Sequence, residues 1–203
     1  MNAGFILDAS SSVKGNFQKE KDFMKRLAAS FGIDQNGTKA GVISYSDIAE
    51  SSIKFKDHQN IQSFWDAADI IPLLNSKSRI DKALKLADTE MFSLASGAKP
   101  AVTNLLIIIT TGTQSNDADA EDPVAISEAM VKSGVNVIAV GIGSNVDENR
   151  LRAMTGDQSK VFMVKSFDEL NDPALSKDIE NIACQTGKYF LSTLLFTQGT
   201  VLA

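Results

Sequence analysis

Short, uninterrupted apolar runs alternate along this chain with longer stretches whose apolar residues recur at helical spacing. The first run, Gly4-Phe5-Ile6-Leu7, stops at Asp8 and reads as a buried strand opening into a loop. Phe17, Phe23, Met24, Leu27, Ala28 and Phe31 predict a helix over 17–31, closed by Gly32 and followed by a turn at Asn36-Gly37. Two β-branched and aromatic runs, 40–45 and 48–55, flank Ser46-Asp47 as an antiparallel hairpin. Ile61, Phe64, Trp65, Ala68 and Ile71 share one face of a helix over 60–71, stopped by Pro72. Ile80, Ala83, Leu84 and Ala87 repeat that pattern over 79–93. Residues 102–110 are apolar on both faces except around Asn104, as a central parallel strand covered above and below requires. A helix with an acidic start (123–132), a strand (135–140) closed by Gly141-Ile142-Gly143, a short helix (147–154) and a strand (161–164) follow. A last helix over 168–184 is expected to break near Pro173.

Strands and helices thus alternate, with one early hairpin. That order predicts an α/β fold: a doubly wound, mainly parallel open sheet with one antiparallel edge strand and helices on both faces. At 203 residues the chain suits one core. Residues 1–187 read as the domain and 188–203 as an apolar tail. The tail, with Phe190, Leu191, Leu194, Leu195, Phe196, Val201 and Leu202, is too short and interrupted to span a membrane. It either packs on the domain as an extra strand or contacts another chain, so self-association is expected.

A net charge of −5 argues against a nucleic acid or an anionic membrane surface as partner. The single Cys184 excludes an internal disulfide and any cysteine-based metal cluster; it reads as a buried thiol or as half of a bridge to another segment. No leader-like segment precedes the first strand, which suggests a mature or excised domain. Asn36-Gly37-Thr38 matches a glycosylation acceptor.

In doubly wound sheets, ligands bind beyond the carboxyl ends of the strands, where the strand order reverses. Three loops there are rich in oxygen: Asp8-Ala9-Ser10-Ser11-Ser12, the stretch from Asn75 through Ser78 to Leu84, and Thr110-Thr111-Gly112-Thr113. Hard divalent cations prefer such ligands, and Mg²⁺ accepts a few carboxylate or hydroxyl oxygens while keeping waters. The same residues also have structural readings. Asp8, Ser10 and Ser12 suit a cap of the first helix, Ser78 suits the N-cap of the third, and Thr111 suits a turn. The acidic stretch Asp117, Asp119, Glu121, Asp122 either complements a helix dipole or folds a carboxylate back into the site. His58, the lone histidine, reads as a solvated loop residue without catalytic partners. Gly141-x-Gly143 does not open a helix and is no dinucleotide fingerprint, and no Walker motif or nucleophile elbow is present. The reading is therefore non-enzymatic.

At these loops the chain resembles the von Willebrand factor type A domain family, over nearly its whole length from Gly4 to Cys184. The family's metal-ion-dependent adhesion site has a D-x-S-x-S loop, matched by Asp8, Ser10 and Ser12, and a threonine five residues before an Ala-Leu helix start, matched by Ser78 before Ala83-Leu84. Gly41-Val42-Ile43-Ser44-Tyr45-Ser46 and Val140-Gly141-Ile142-Gly143 look alike too. The family pattern also has an aspartate in a T-D-G sequence; here Thr111 stands in that place. Losing one of two formal charges weakens the attraction for a divalent cation. Two outcomes stay open: Mg²⁺, Mn²⁺ or Ca²⁺ held by Asp8, Ser10, Ser12 and Ser78, with waters and Thr111 completing the shell, or an empty site on a surface-binding module. The resemblance implies a secreted, extracellular adhesion module that binds a protein ligand such as collagen or another matrix protein. An intracellular subunit that scaffolds a multiprotein complex without metal is the alternative.

Overall fold

The computed structural model describes all residues except 35, 113 and 198–203. Six strands form one sheet: β1 (Asn2–Asp8), β2 (Lys39–Tyr45), β3 (Ala49–Ile53), β4 (Asn104–Thr110), β5 (Val135–Ile142) and β6 (Val161–Val164). Six α-helices complete the order: α1 (Phe17–Ser30), α2 (Ile61–Asp69), α3 (Ile80–Leu86), α4 (Pro123–Lys132), α5 (Glu148–Thr155) and α6 (Pro173–Thr197). The strand order is β3-β2-β1-β4-β5-β6, parallel throughout except that β3 runs antiparallel to β2 at the edge. The chain winds outward from β1 in one direction and from β4 in the other, so the order reverses between these two central strands.

The alternation of side chains along β4 shows why its sequence is apolar throughout. Leu105, Ile107 and Ile109 join the core under α1, α2 and α6, with Phe5, Leu7, Phe23, Leu27, Phe64 and Ile179. Leu106 and Ile108 join the opposite core, with Ile6, Ile43, Tyr45, Leu84, Val137 and Leu151. Each of these five β4 side chains is fully buried, and truncation of one to alanine costs about 2–5 kcal/mol.

Local signals set the helix ends. The Asn60 side chain accepts the Ser63 N–H at 2.9 Å to start α2. Asp122 caps α4, with Pro123 in its first turn. Asp147 caps α5, which ends on Gly156 in the left-handed region (φ 66°).

Three expectations change. The helix predicted over 79–93 is regular only to Leu86, and a π-helical turn, Ala87–Met91, carries it on. The expected break near Pro173 is present: a 3₁₀ turn, Phe167–Asn171, ends on the extended Asp172, and Pro173 then starts α6, where its missing N–H costs nothing. The backbone stays helical to Thr197, so the extra strand is not formed over 189–197, and residues 198–203 lie outside the described residues. Cys184 is exposed, not buried, because α6 turns Ile179 and Ala183 inward instead. No helix among the described residues is long and apolar enough to cross a membrane.

Candidate functional site

The carboxyl ends of β1 and β4 open into a bowl of about 750 Å³ lined by Ser10, Ser11, Ser12, Ser76, Lys77, Ser78, Thr111, Gly112, Ser115 and Asn145. All five residues singled out from sequence converge here: Ser10, Ser12, Ser78 and Thr111 in the wall, and Asp8 fully buried beneath them. Asp8 is the last residue of β1 and Thr111 follows the last residue of β4, so the parallel pairing of these strands brings them together. The Asp8 carboxylate accepts the Ser10 N–H at 3.0 Å through Oδ1, and the Thr111 N–H (3.3 Å) and hydroxyl (2.8 Å) through Oδ2. The Thr111 hydroxyl also meets Ser12 Oγ at 2.6 Å, and Ser12 Oγ meets Ser10 Oγ at 2.7 Å. A continuous chain of hydroxyls therefore ends on one carboxylate.

Capping does not account for these residues. The N-cap of α1 is Asn16 and that of α3 is Arg79, neither with a side-chain cap, and Ser10 opens only the single 3₁₀ turn Ser11–Val13. The Ser78 Oγ is buried and meets no partner at hydrogen-bond geometry; the Tyr45 hydroxyl comes near enough to interact with it but is bonded to Thr110 Oγ1 at 3.0 Å. Burial first, and then the Asp8 charge, push the Tyr45 phenol well above its ordinary range, so it remains protonated. A buried, unbonded hydroxyl beside two serine hydroxyls and a carboxylate is the donor set of a hard, oxygen-preferring cation. These residues fit such an ion in kind, with a single formal charge to hold it.

Four acidic residues beyond Thr111 supply no second carboxylate. Asp117 pairs with Lys77 at 2.5 Å, Asp119 with Arg79 at 2.6 Å and Glu121 with Lys85; Asp122 caps α4 and lies 3.5 Å from Arg150. Cations on and just before α3 thus engage the carboxylates of Asp117, Asp119 and Glu121. The Lys77 ammonium holds Asp117 below the usual carboxylate range, and the Arg79 guanidinium does the same to Asp119.

Arg79 and Asp81 form a buried ion pair at the centre of that arrangement. The guanidinium grips both Asp81 oxygens (2.9 and 2.7 Å) and the Asp119 carbonyl (3.0 Å). Asp81 Oδ2 in turn accepts the Glu121 N–H. Burial opposes the Asp81 charge, but Arg79 and the Glu121 N–H outweigh it and hold the carboxyl below its ordinary value. Sequence alone shows matching charges at 77, 79, 82 and 85 and at 117, 119 and 121, but not that Arg79 is buried with Asp81.

Glu20 also escapes the sequence reading. It lies three residues after Phe17 on the inward stripe of α1, fully buried, and both its carboxyl oxygens lack hydrogen bonds. Burial, then the Asp8 charge, push its carboxyl well above the usual range. A polar residue on an apolar stripe was the available signal.

The six-stranded sheet, parallel but for one edge strand and reversing its order at the bowl, places the chain in the class of doubly wound α/β domains. Residues 3–175 match the family model of the von Willebrand factor type A domain, and the chain belongs to that family. It is similar to the human collagen alpha-5(VI) chain (32% identical over 167 residues, 82% of this chain and 6% of that one) and to chicken matrilin-1 (27% over 157 residues, 75% and 31%). The chain thus spans a small part of these relatives. Among solved structures it is similar to proximal thread matrix protein 1 from the mussel byssus (TM-score 0.83, 26% identical, 90% of this chain and 47% of that one). A further structure of that mussel protein, with a zinc-occupied MIDAS motif, superposes with a TM-score of 0.80 at 25% identity.

Proposed function

We propose that this domain is a non-enzymatic, secreted protein-binding module of an extracellular matrix protein, and that its ligand docks at the bowl between β1 and β4. One observation carries the reading: Asp8, Ser10, Ser12, Ser78 and Thr111, scattered over a hundred residues, converge on one open bowl that contains an unbonded, buried hydroxyl. Relatives among collagen VI chains and matrilins support the matrix setting. Collagen or another matrix protein is the class of ligand this reading assigns.

Ser10, Ser12 and Ser78 would hold a divalent cation (Mg²⁺, Mn²⁺ or Ca²⁺) directly, with Asp8 beneath them as the counter-charge. Such an ion supplies a positive centre over the strand ends that a ligand carboxylate can complete. The chain's own contribution is preorganisation. Three hydrogen bonds fix Asp8, Ser46 Oγ anchors the 76–78 segment through the Ser76 N–H (2.9 Å), and the Arg79–Asp81 pair that follows this segment ties it to residues 119–121.

Calorimetric titration of metal-free protein with Mg²⁺, Mn²⁺ and Ca²⁺, beside Asp8→Ala, tests the metal. Saturable heat lost in the variant is expected, and no heat at millimolar metal removes the cation from the mechanism. Surface plasmon resonance on immobilised collagens, with and without metal, tests the ligand class. Binding unchanged by Ser12→Ala would remove the bowl as the contact.

A further inference from the structure

Donor counting around the bowl assigns a direction to its hydroxyl chain. Each hydroxyl carries one proton and two lone pairs, and a carboxylate only accepts. Thr111 spends its one proton on Asp8 Oδ2 at 2.8 Å. The 2.6 Å bond between Ser12 and Thr111 must then be donated by Ser12, and the 2.7 Å bond between Ser10 and Ser12 by Ser10. All three protons point inward, towards Asp8, and the lone pairs left over face the bowl.

Backbone donors around the bowl are committed in the same way. The Ser10 and Thr111 N–H groups serve Asp8, the Ser11 N–H serves the Ser76 carbonyl and the Ser76 N–H serves Ser46 Oγ. The Ser78 and Ser115 N–H groups serve each other's residue. Lys77 at the rim is paired with Asp117 at 2.5 Å. Over Ser10 and Ser12 an entering anion therefore meets oxygen lone pairs above a buried negative charge, and these backbone N–H groups are already in use.

Charge completes the argument. With Thr111 in place of a carboxylate and the acids of residues 117–122 engaged elsewhere, the bowl carries the single negative charge of Asp8. One charge matches a monovalent donor better than a divalent ion. An ammonium is compact, with three donors on a slender stem, and suits oxygens converging from Ser10, Ser12 and Ser78; a guanidinium presents a planar fork that needs paired acceptors in one plane.

We propose that the metal-free bowl captures a lysine ammonium of the partner protein directly. The proposal rests on the bowl being the partner site, and it names the chemistry the site takes when no cation is loaded.

The test uses the full chain in EDTA, with N-acetyl-lysine methylamide as probe and the arginine and glutamine analogues as controls, followed by NMR shifts of the bowl residues. Saturable millimolar binding of the lysine probe is expected, at least tenfold weaker for arginine and absent for glutamine. Asp8→Asn should abolish it. Should that variant not fold, Thr111→Val, which removes the acceptor of the Ser12 proton, should weaken binding at least fivefold. Equal responses to the three probes, or binding unaffected in a folded variant, overturn the proposal. Titration with Mn²⁺ separates it from the metal reading. Lysine binding without Mn²⁺ binding upholds the proposal and removes the cation from the proposed function. Mn²⁺ binding without displacement of the lysine probe overturns it.

Discussion

Replacing Thr111 by aspartate changes the charge of the bowl with little change in volume. The Thr111 hydroxyl lies 2.8 Å from Asp8 Oδ2 and 2.6 Å from Ser12 Oγ. A carboxylate there is within reach of any cation held by the serines, directly or through one water. Two unit charges 4 Å apart interact by about 1 kcal/mol in a water-like medium and about 4 kcal/mol at an effective dielectric of 20. A doubly charged ion doubles the first figure to about 2 kcal/mol, which is roughly a 30-fold tighter Kd. The metal-free protein should suffer. It loses a hydrogen bond to a charged acceptor, worth about 1.5–3 kcal/mol, and gains a carboxylate facing Asp8. Calorimetry with Mn²⁺ and Mg²⁺, and urea denaturation in EDTA, measure both effects on Thr111→Asp. An unchanged Kd together with unchanged metal-free stability would show that residue 111 does not belong to the site.

Ser78→Ala removes a buried hydroxyl that makes no hydrogen bond, so metal-free stability should change by less than about 1 kcal/mol while Mn²⁺ affinity falls at least tenfold, as denaturation and calorimetry would report. Glu20 has a folded pKa raised above its unfolded value, so its contribution is fully present below the unfolded pKa and is lost as pH rises through the folded one. Between those limits stability should fall by about 1.4 kcal/mol per pH unit, and Glu20→Gln should flatten urea-denaturation midpoints measured from pH 4 to 8. Arg79→Met strands the buried Asp81 carboxylate and should cost about 3–5 kcal/mol, with hydrogen exchange accelerated across 114–122. Adding Asp81→Leu should restore most of the loss, and a double variant as unstable as the single one would contradict the pairing.

Much of this architecture was readable from patterns that depend on one element at a time. The run from Leu105 to Ile109 predicts burial on both faces, and the structure divides those residues between two cores. The edge hairpin followed from two β-type runs around Ser46-Asp47, and the mainly parallel sheet from the alternation of strands with helices. The D-x-S-x-S spacing located the bowl. What stayed hidden depends on partners distant in sequence. Arg79 is a surface residue by composition and is buried only because Asp81 and Asp119 meet it. The acids after Thr111 face either the site or α3 with equal justice until the lysines of α3 are placed beside them. Cys184 and Glu20 went the other way, since helical phase decided exposure in the one and burial in the other.

The reversal of strand order between β1 and β4 also bears on how the site comes into being. Asp8 and Thr111 are bonded across 103 positions of chain, and the two central strands must pair before the bowl exists. Closing so long a loop has an entropic cost that grows slowly with its length, and it delays contacts of this range in folding. Residues 8–78 contain Asp8 and the three serines of the site, yet without β4 they have no wall to converge on. Competence to bind should therefore arise late in folding, together with the central pairing, and a fragment ending before residue 104 should carry the motif and lack the activity. Binding at the bowl is in that sense a report on the whole sheet.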